Sequence, residues 1–119
     1  MSRAYGFSGS AAFSFVTQIG TGTGDTELVA APGAGRKLAV QSLTVTITTA
    51  AAQAFDIEDD GSTPVEIFKA PASLAAGTYA VDAGPLGIAL TANTALQFDT
   101  AAAGVGATIS GFGYILESA

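Results

Sequence analysis

The densest group of potentially reactive side chains in this sequence is one short acidic run. It reads Asp56-Ile57-Glu58-Asp59-Asp60-Gly61, and it resembles the opening of a calcium-binding loop, in which oxygen ligands alternate and a glycine permits a sharp turn. The twelfth position of such a loop requires Glu, but it is Ile67 here, and Glu66 misses the position by one residue. We therefore predict a hairpin end with solvated carboxylates that needs no metal; a bound cation is the alternative.

Acid–base catalysis is the other chemistry that carboxylates offer. Strand alternation is expected to place Asp56 and Glu58 on an exposed face, while Asp82 and Asp99 fall at expected strand ends, where Asp commonly accepts hydrogen bonds from turn amides. The sequence contains no Cys, His or Trp, which excludes thiolate and imidazole metal ligands, Cys or Ser–His nucleophiles and a His proton shuttle. We predict a protein that is not an enzyme and that has no catalytic residue and no cofactor.

The charge balance disfavours nucleic acid and membrane surfaces as partners. Four basic residues oppose ten acidic ones, which gives a net charge of −6. Binding to a phosphate backbone needs clustered Lys and Arg, whereas only Arg36 and Lys37 are adjacent here, and an anionic membrane surface would repel the chain. No run approaches the ~20 apolar residues of a spanning helix, and no secretory signal is evident, so we expect a protein made and used without export.

The elements that must position these side chains are short strands. Apolar residues alternate with period two almost throughout, which predicts eight or nine strands and an all-β sandwich or barrel. In the longest predicted strand, 37–48, the apolar positions change from even to odd numbers, so we predict a β-bulge near Gln41-Ser42. The last strand, 105–116, shows the same change around Ser110-Gly111. Residues 71–76 have the Pro-first, Gly-after pattern of a single helical turn.

The chain divides into a short arm and one domain. We predict a flexible N-terminal arm over residues 1–10 and a single β domain over residues 11–119. Arg3, Tyr5 and Phe7 lie in the arm and have no strand to join, so they are candidate interface anchors; an arm that packs back on the domain, or ordinary terminal disorder, is the alternative. Most aromatic residues are assigned to the core, except Phe68, which is out of phase with its strand.

Four segments of the chain, taken in order, have a residue pattern that resembles that of a known family. They are Gly35-Arg36-Lys37-Leu38-Ala39-Val40-Gln41-Ser42-Leu43-Thr44-Val45-Thr46, Phe55-Asp56-Ile57-Glu58-Asp59-Asp60-Gly61-Ser62, Leu96-Gln97-Phe98-Asp99 and Ile109-Ser110-Gly111-Phe112-Gly113-Tyr114. Together they resemble the small jelly-roll proteins of tailed-bacteriophage virions called decoration, or cement, proteins, which bind the outside of heads, commonly as trimers. The resemblance covers about residues 11–116 and transfers no individual site residue.

The resemblance implies a single jelly-roll-like antiparallel β-sandwich and a non-enzymatic structural protein of the virion, assembled in the host cytoplasm. The resemblance also implies that the protein binds the major capsid protein lattice and that it is a homotrimer. The candidate capsid contacts are then Arg3, Tyr5 and Phe7. The thin core agrees with this, because only 33 of 119 residues are Val, Ile, Leu, Met, Phe or Tyr and assembly can supply stability that a small core lacks. Two alternatives stay open: a carbohydrate-binding or adhesin β-sandwich, and another virion part such as a tail or fibre-tip domain.

Overall fold

A computed structural model describes residues 11–117, which form nine strands and no helix. No segment within this range is therefore a helix that could cross a membrane. All the strand pairs are antiparallel, and the predicted all-β fold is confirmed. The strands are β1 (Ala12–Ile19), β2 (Thr26–Val29), β3 (Arg36–Ile47), β4 (Phe55–Asp59), β5 (Glu66–Ala70), β6 (Gly77–Asp82), β7 (Ile88–Ala89), β8 (Leu96–Thr100) and β9 (Ala107–Glu117).

The strands form two sheets that pack as a sandwich. The first sheet has the order β1-β9-β3-β6, and the short β7 pairs with β3 beyond the end of β6; the second sheet has the order β2-β8-β4-β5. Each sheet contains strands from both halves of the chain. If β6 and β7 are counted as one strand, the strand order in the two sheets is that of a jelly roll. The predicted jelly-roll-like sandwich is confirmed.

The core lies between the sheets and is built from inward-facing apolar side chains of both. Its largest members are Phe55 on β4 and Phe98 on β8, whose ring centroids are 5.1 Å apart. Burying an aromatic or large aliphatic side chain contributes roughly 1.5–3 kcal/mol, so these two rings are a substantial part of a small core. The other fully buried large side chains are Leu38, Val40, Leu43, Val45, Ile47, Ile57, Leu90, Leu96, Val105 and Ile109.

The predicted bulge in β3 is confirmed, and Gln41 is the extra residue. Val40 pairs with Gly113 and Ser42 with Phe112, so two neighbours on β9 face three residues on β3. The Gln41 carbonyl instead accepts a hydrogen bond from the Ala83 N–H at 2.9 Å. This extra residue keeps both apolar halves of β3 facing the core, even-numbered before the bulge and odd-numbered after it.

The predicted change of phase in β9 is wrong. The strand pairs with β1 without any shift of register, and Phe112 points away from the core with 52% of its surface exposed. The inward positions are taken by Gly111 and Gly113, which lie opposite Phe15 and Phe13 of β1. A Cβ on Gly113 would lie 2.8 Å from the Phe13 ring, so the aromatic rings of β1 fill the space that the glycines leave.

Two further sequence predictions are corrected by the loops and by β5. Residues 71–76 form no helical turn, since Ser73 adopts a left-handed backbone conformation (φ 69°) and its N–H donates to the Ala51 carbonyl at 2.7 Å. Phe68 pairs with the inward-facing Ile57 across a bulge that makes Ile67 the extra residue. Phe68 therefore packs on the core after all, 5.9 Å from Phe55 between ring centroids.

Candidate functional site

The outer face of the first sheet carries no charge at its centre. We call it the neutral face and define it by outward-facing residues of β1, β9 and β3 that line one shallow depression of roughly 490 Å³. Two apolar side chains stand out of it: Val16 is 75% exposed and Phe112 is 52% exposed. The residues of the neutral face are Ser14, Val16, Ser42, Thr44, Ser110 and Phe112.

The neutral face shares two features with protein–protein contacts, the absence of charge at its centre and an exposed aromatic ring, although three of its six residues are Ser, which interfaces contain less often. Long charged side chains are depleted at the centre of interfaces, and aromatic residues are enriched there. Small hydroxyl side chains lose little conformational freedom on burial, and they surround the exposed ring of Phe112. A surface of this kind can be covered by another protein without stranding an unpaired charge.

The outer face of the second sheet is acidic by contrast. Strand register places Asp56 of β4 opposite Asp99 of β8 on one side and opposite Lys69 of β5 on the other. Glu58 lies two residues further along β4, opposite Gln97 and Glu66. We call this surface the acidic face; its charged members are Glu27, Asp56, Glu58, Glu66, Lys69 and Asp99.

Three carboxylates of the acidic face meet at one point. One carboxylate oxygen from each of Asp56, Glu58 and Asp99 lies within 4.8 Å of the other two. The Lys69 ammonium lies 3.4 Å from Asp56 Oδ1 and 3.5 Å from Glu66 Oε2, but its side chain is largely exposed, and exposed ion pairs contribute little stability. The cluster is thus only partly neutralised, and only at its rim.

Proximity and burial disturb the acidity of this cluster. Burial, together with the neighbouring carboxylates of Asp99 and Asp56, raises the pKa of Glu58 to about 7. Burial also raises the pKa of Asp99, and the nearby Asp25 adds to the effect. Both shifts have the same physical origin, since each disfavours the charged form of a carboxylate among like charges.

We predict that, in buffer free of divalent cations, the protein loses stability as the pH rises from 5 to 8. The pKa of Glu58 is raised in the folded chain, so the native state binds more protons than the unfolded state over this range, and the free energy of unfolding falls with pH. Glu58→Gln should flatten the profile and be more stable than wild type at pH 8, by about 2–3 kcal/mol. Urea denaturation at each pH measures this. A wild-type profile that rises from pH 5 to 8 would contradict it.

The other two carboxylates of the acidic run, buried Asp59 and exposed Asp60, accept hydrogen bonds from backbone amides, contrary to the predicted solvated hairpin end. Asp59 is fully buried; its Oδ1 accepts from the Gly61 N–H at 2.9 Å and its Oδ2 from the Thr91 N–H at 3.0 Å. Asp60 Oδ1 accepts from the Ala95 N–H at 2.9 Å. These two carboxylates tie the β4–β5 loop to the turn before β8, and they are not arranged as the ligands of a linear calcium loop.

Of the other two acids singled out in the sequence, one lies where it was predicted and one does not. Asp82 Oδ1 accepts from the Gly84 N–H at 3.1 Å, as predicted for a turn. Asp99, predicted at a strand end, lies within β8 and meets the carboxylates of β4 instead. The candidate contacts Arg3, Tyr5 and Phe7 lie outside the described residues. The neutral face was missed, because Phe112 was assigned to the core.

Comparisons with known proteins identify no family for this chain. No family model and no curated protein matches this chain. Similar solved structures include the Drosophila NLP core, from work on pentamer formation and histone binding (11% identity, TM-score 0.47, 87% of this chain and 98% of that one). Two others come from viruses: a virus-like particle of the extra small virus of the prawn Macrobrachium rosenbergii (10%, 0.39, 90% and 79%) and infectious bursal disease virus (8%, 0.39, 93% and 33%). At TM-scores below 0.5, we base no functional argument on these similarities.

Proposed function

We propose that this protein is a non-enzymatic structural component of a tailed-phage virion, a decoration protein that binds the outer capsid surface and stabilises the head. The neutral face carries this proposal: its six residues are uncharged and include the exposed Val16 and Phe112, and among the described residues the nearest acid on the same side of the sheet is Asp82 at its edge, opposite Ser42. The jelly-roll strand order agrees with the resemblance of the sequence to decoration proteins.

The physical logic of such a role needs contact and no chemistry. An exposed aromatic ring among small hydroxyl side chains gives a surface that gains free energy when water is removed from it. Many copies bound to a regular lattice stabilise that lattice by mass action, because binding favours the assembled state over the dissociated one. We propose a homotrimer as the bound unit, in which each copy brings one neutral face and avidity strengthens weak single contacts.

The test is binding to undecorated phage heads by chains that differ at a single exposed apolar side chain. Val16 lines the depression of the neutral face, whereas Leu86 lies beyond it, beside Tyr114. Both side chains are 75% exposed, so Val16→Asp and Leu86→Asp form a matched pair. We expect Val16→Asp to reduce occupancy of the heads at least about tenfold, since it places a charge in the centre of the contact, and Leu86→Asp to bind like wild type. Equal binding by both variants would exclude the neutral face as the contact.

Two controls complete this experiment. We propose that residues 1–10 form an arm that adds to the contact through Arg3, Tyr5 and Phe7, so a chain without them should fold but occupy heads less fully. Light scattering at micromolar concentration should show a small closed oligomer; a stable monomer of 11.7 kDa would exclude the trimer. Failure of the full-length protein to bind any head would exclude the proposed function itself.

A further inference from the structure

We propose that the acidic face holds a divalent-cation site, with Ca²⁺ as the preferred ion, formed by the carboxylates of Asp56, Glu58 and Asp99. The site joins β4 to β8 on the outer side of the second sheet. The inference is independent of the proposed function, because it concerns the opposite face of the sandwich from the one proposed to bind the capsid.

The spacing of the ligand atoms suits calcium. One oxygen from each of the three carboxylates lies within 4.8 Å of the other two, which is about twice the Ca²⁺–oxygen distance of roughly 2.4 Å. Asp56 and Asp99 are direct partners across two neighbouring strands, and Glu58 follows on the same side of β4. The backbone therefore fixes the spacing of the three ligands, and only small side-chain movements are needed to close them around one ion.

The surroundings of Glu58 point independently to a missing positive charge. Glu58 is only 7% exposed, and within residues 11–117 its carboxylate accepts no hydrogen bond from an N–H group and pairs with no Lys or Arg. The groups that interact with it are other acids, first of all Asp99, with which Glu58 forms a side-chain hydrogen bond that requires a proton on one of the two carboxyls. When both are ionised, Glu58 is a buried charge with neither a donor nor a counter-ion, which is costly, because Lys69 reaches only Asp56 and Glu66. A cation between Glu58, Asp56 and Asp99 would remove this cost.

The site is open to an ion on one side. Asp56 and Asp99 line a surface cleft of roughly 560 Å³, beside Lys69, Ala101 and the ends of β4 and β8. Water in this cleft can complete the six to eight oxygen ligands that Ca²⁺ prefers. A ligand set made of carboxylates and water selects hard cations over zinc or copper. The proposal therefore reverses the expectation that the acidic run needs no metal, because two of the three ligands, Asp56 and Glu58, belong to that run.

The experiment is calorimetric titration of the full chain, freed of metal with a chelator, with CaCl₂ at pH 8. We expect one ion bound per chain and a rise in melting temperature of about 5 °C at saturation. Glu58→Gln should weaken binding at least about tenfold, because one charged ligand is lost. Glu27→Gln is the matched control: it removes the same charge from the same face but lies on β2, outside the cluster, and should bind like wild type.

Each outcome decides the proposal. Saturable binding at one ion per chain that is lost in Glu58→Gln and retained in Glu27→Gln supports the site. Absence of saturable binding at millimolar CaCl₂, or equal weakening in both variants, overturns it, since equal weakening indicates diffuse screening of an acidic surface. If Glu58→Gln does not fold by circular dichroism, Asp99→Asn takes its place under the same criteria.

Discussion

Gly113→Ala is expected to destabilise the protein more than Gly111→Ala, the same change at the other glycine of β9. Gly113 faces inward in the strand between β1 and β3, and a Cβ there would overlap the Ala39 carbonyl oxygen and lie 2.8 Å from Cζ of Phe13. The first neighbour is backbone, so relief requires the strands to separate. We expect a loss of about 3 kcal/mol and a melting temperature at least about 10 °C lower.

A glycine in an open turn provides the comparison. A Cβ on Gly22 would have no atom within 4 Å, so Gly22→Ala should change the free energy of unfolding by less than about 1 kcal/mol. Thermal unfolding followed by circular dichroism measures both variants. If Gly113→Ala melts within two degrees or so of wild type, the close packing of β9 against β3 and Phe13 described above is incorrect.

Asp59→Ala is the second substitution for which we expect a large loss, about 3 kcal/mol at pH 7. The carboxylate is fully buried, and it is the acceptor for the backbone N–H groups of Gly61 and Thr91. Its removal leaves two partly buried N–H donors without their acceptor, at roughly 1–3 kcal/mol each. The loss should appear in urea denaturation as a lower midpoint with an unchanged slope.

Asp82→Ala is the matched control for this loss. Asp82 accepts from the N–H two residues ahead, as Asp59 does, but in an exposed turn, where water replaces the lost acceptor, so we expect less than about 1 kcal/mol. Equal losses would contradict the role of burial.

Burial alone would raise the pKa of Asp59, but the N–H groups of Thr91 and Gly61 outweigh it and lower the pKa. The stability that the Asp59 carboxylate contributes is thus complete above pH 3.8 and is lost as the pH falls below it. The difference in free energy of unfolding between wild type and Asp59→Ala should therefore narrow in acid.

The sequence predicted the strands and the β3 bulge well because both depend on local alternation. Strong apolar residues lie on both sides of Gln41, and one extra residue is the way to keep both sets facing inward. The same reasoning was wrong for β9, because glycine carries no hydrophobic signal. The inward positions of Gly111 and Gly113 are filled by Phe15 and Phe13 from a strand about 100 residues earlier in the chain, and no pattern within β9 indicates that.

The candidate sites were less predictable for the same reason. The carboxylates of Asp56 and Asp99 are 43 residues apart in sequence and meet only through the pairing of β4 with β8. The pattern visible along the chain is instead the linear run that ends at Gly61, in which Asp59 and Asp60 accept hydrogen bonds from backbone amides. The neutral face likewise forms only when β1, β9 and β3 lie side by side.

The position of β9 between β1 and β3 has a consequence for how the protein is made. A ribosome synthesises the chain from its N-terminus, so β9 leaves the exit tunnel after all eight of its fellow strands. Until then β1 and β3 each have an unpaired edge and an apolar side, which is the condition in which nascent β-proteins associate wrongly. Folding of the first sheet must therefore wait for release of the last strand, and long-range pairing of this kind is slow. Charged residues make up only 12% of the chain, so repulsion between charges opposes such wrong association only weakly.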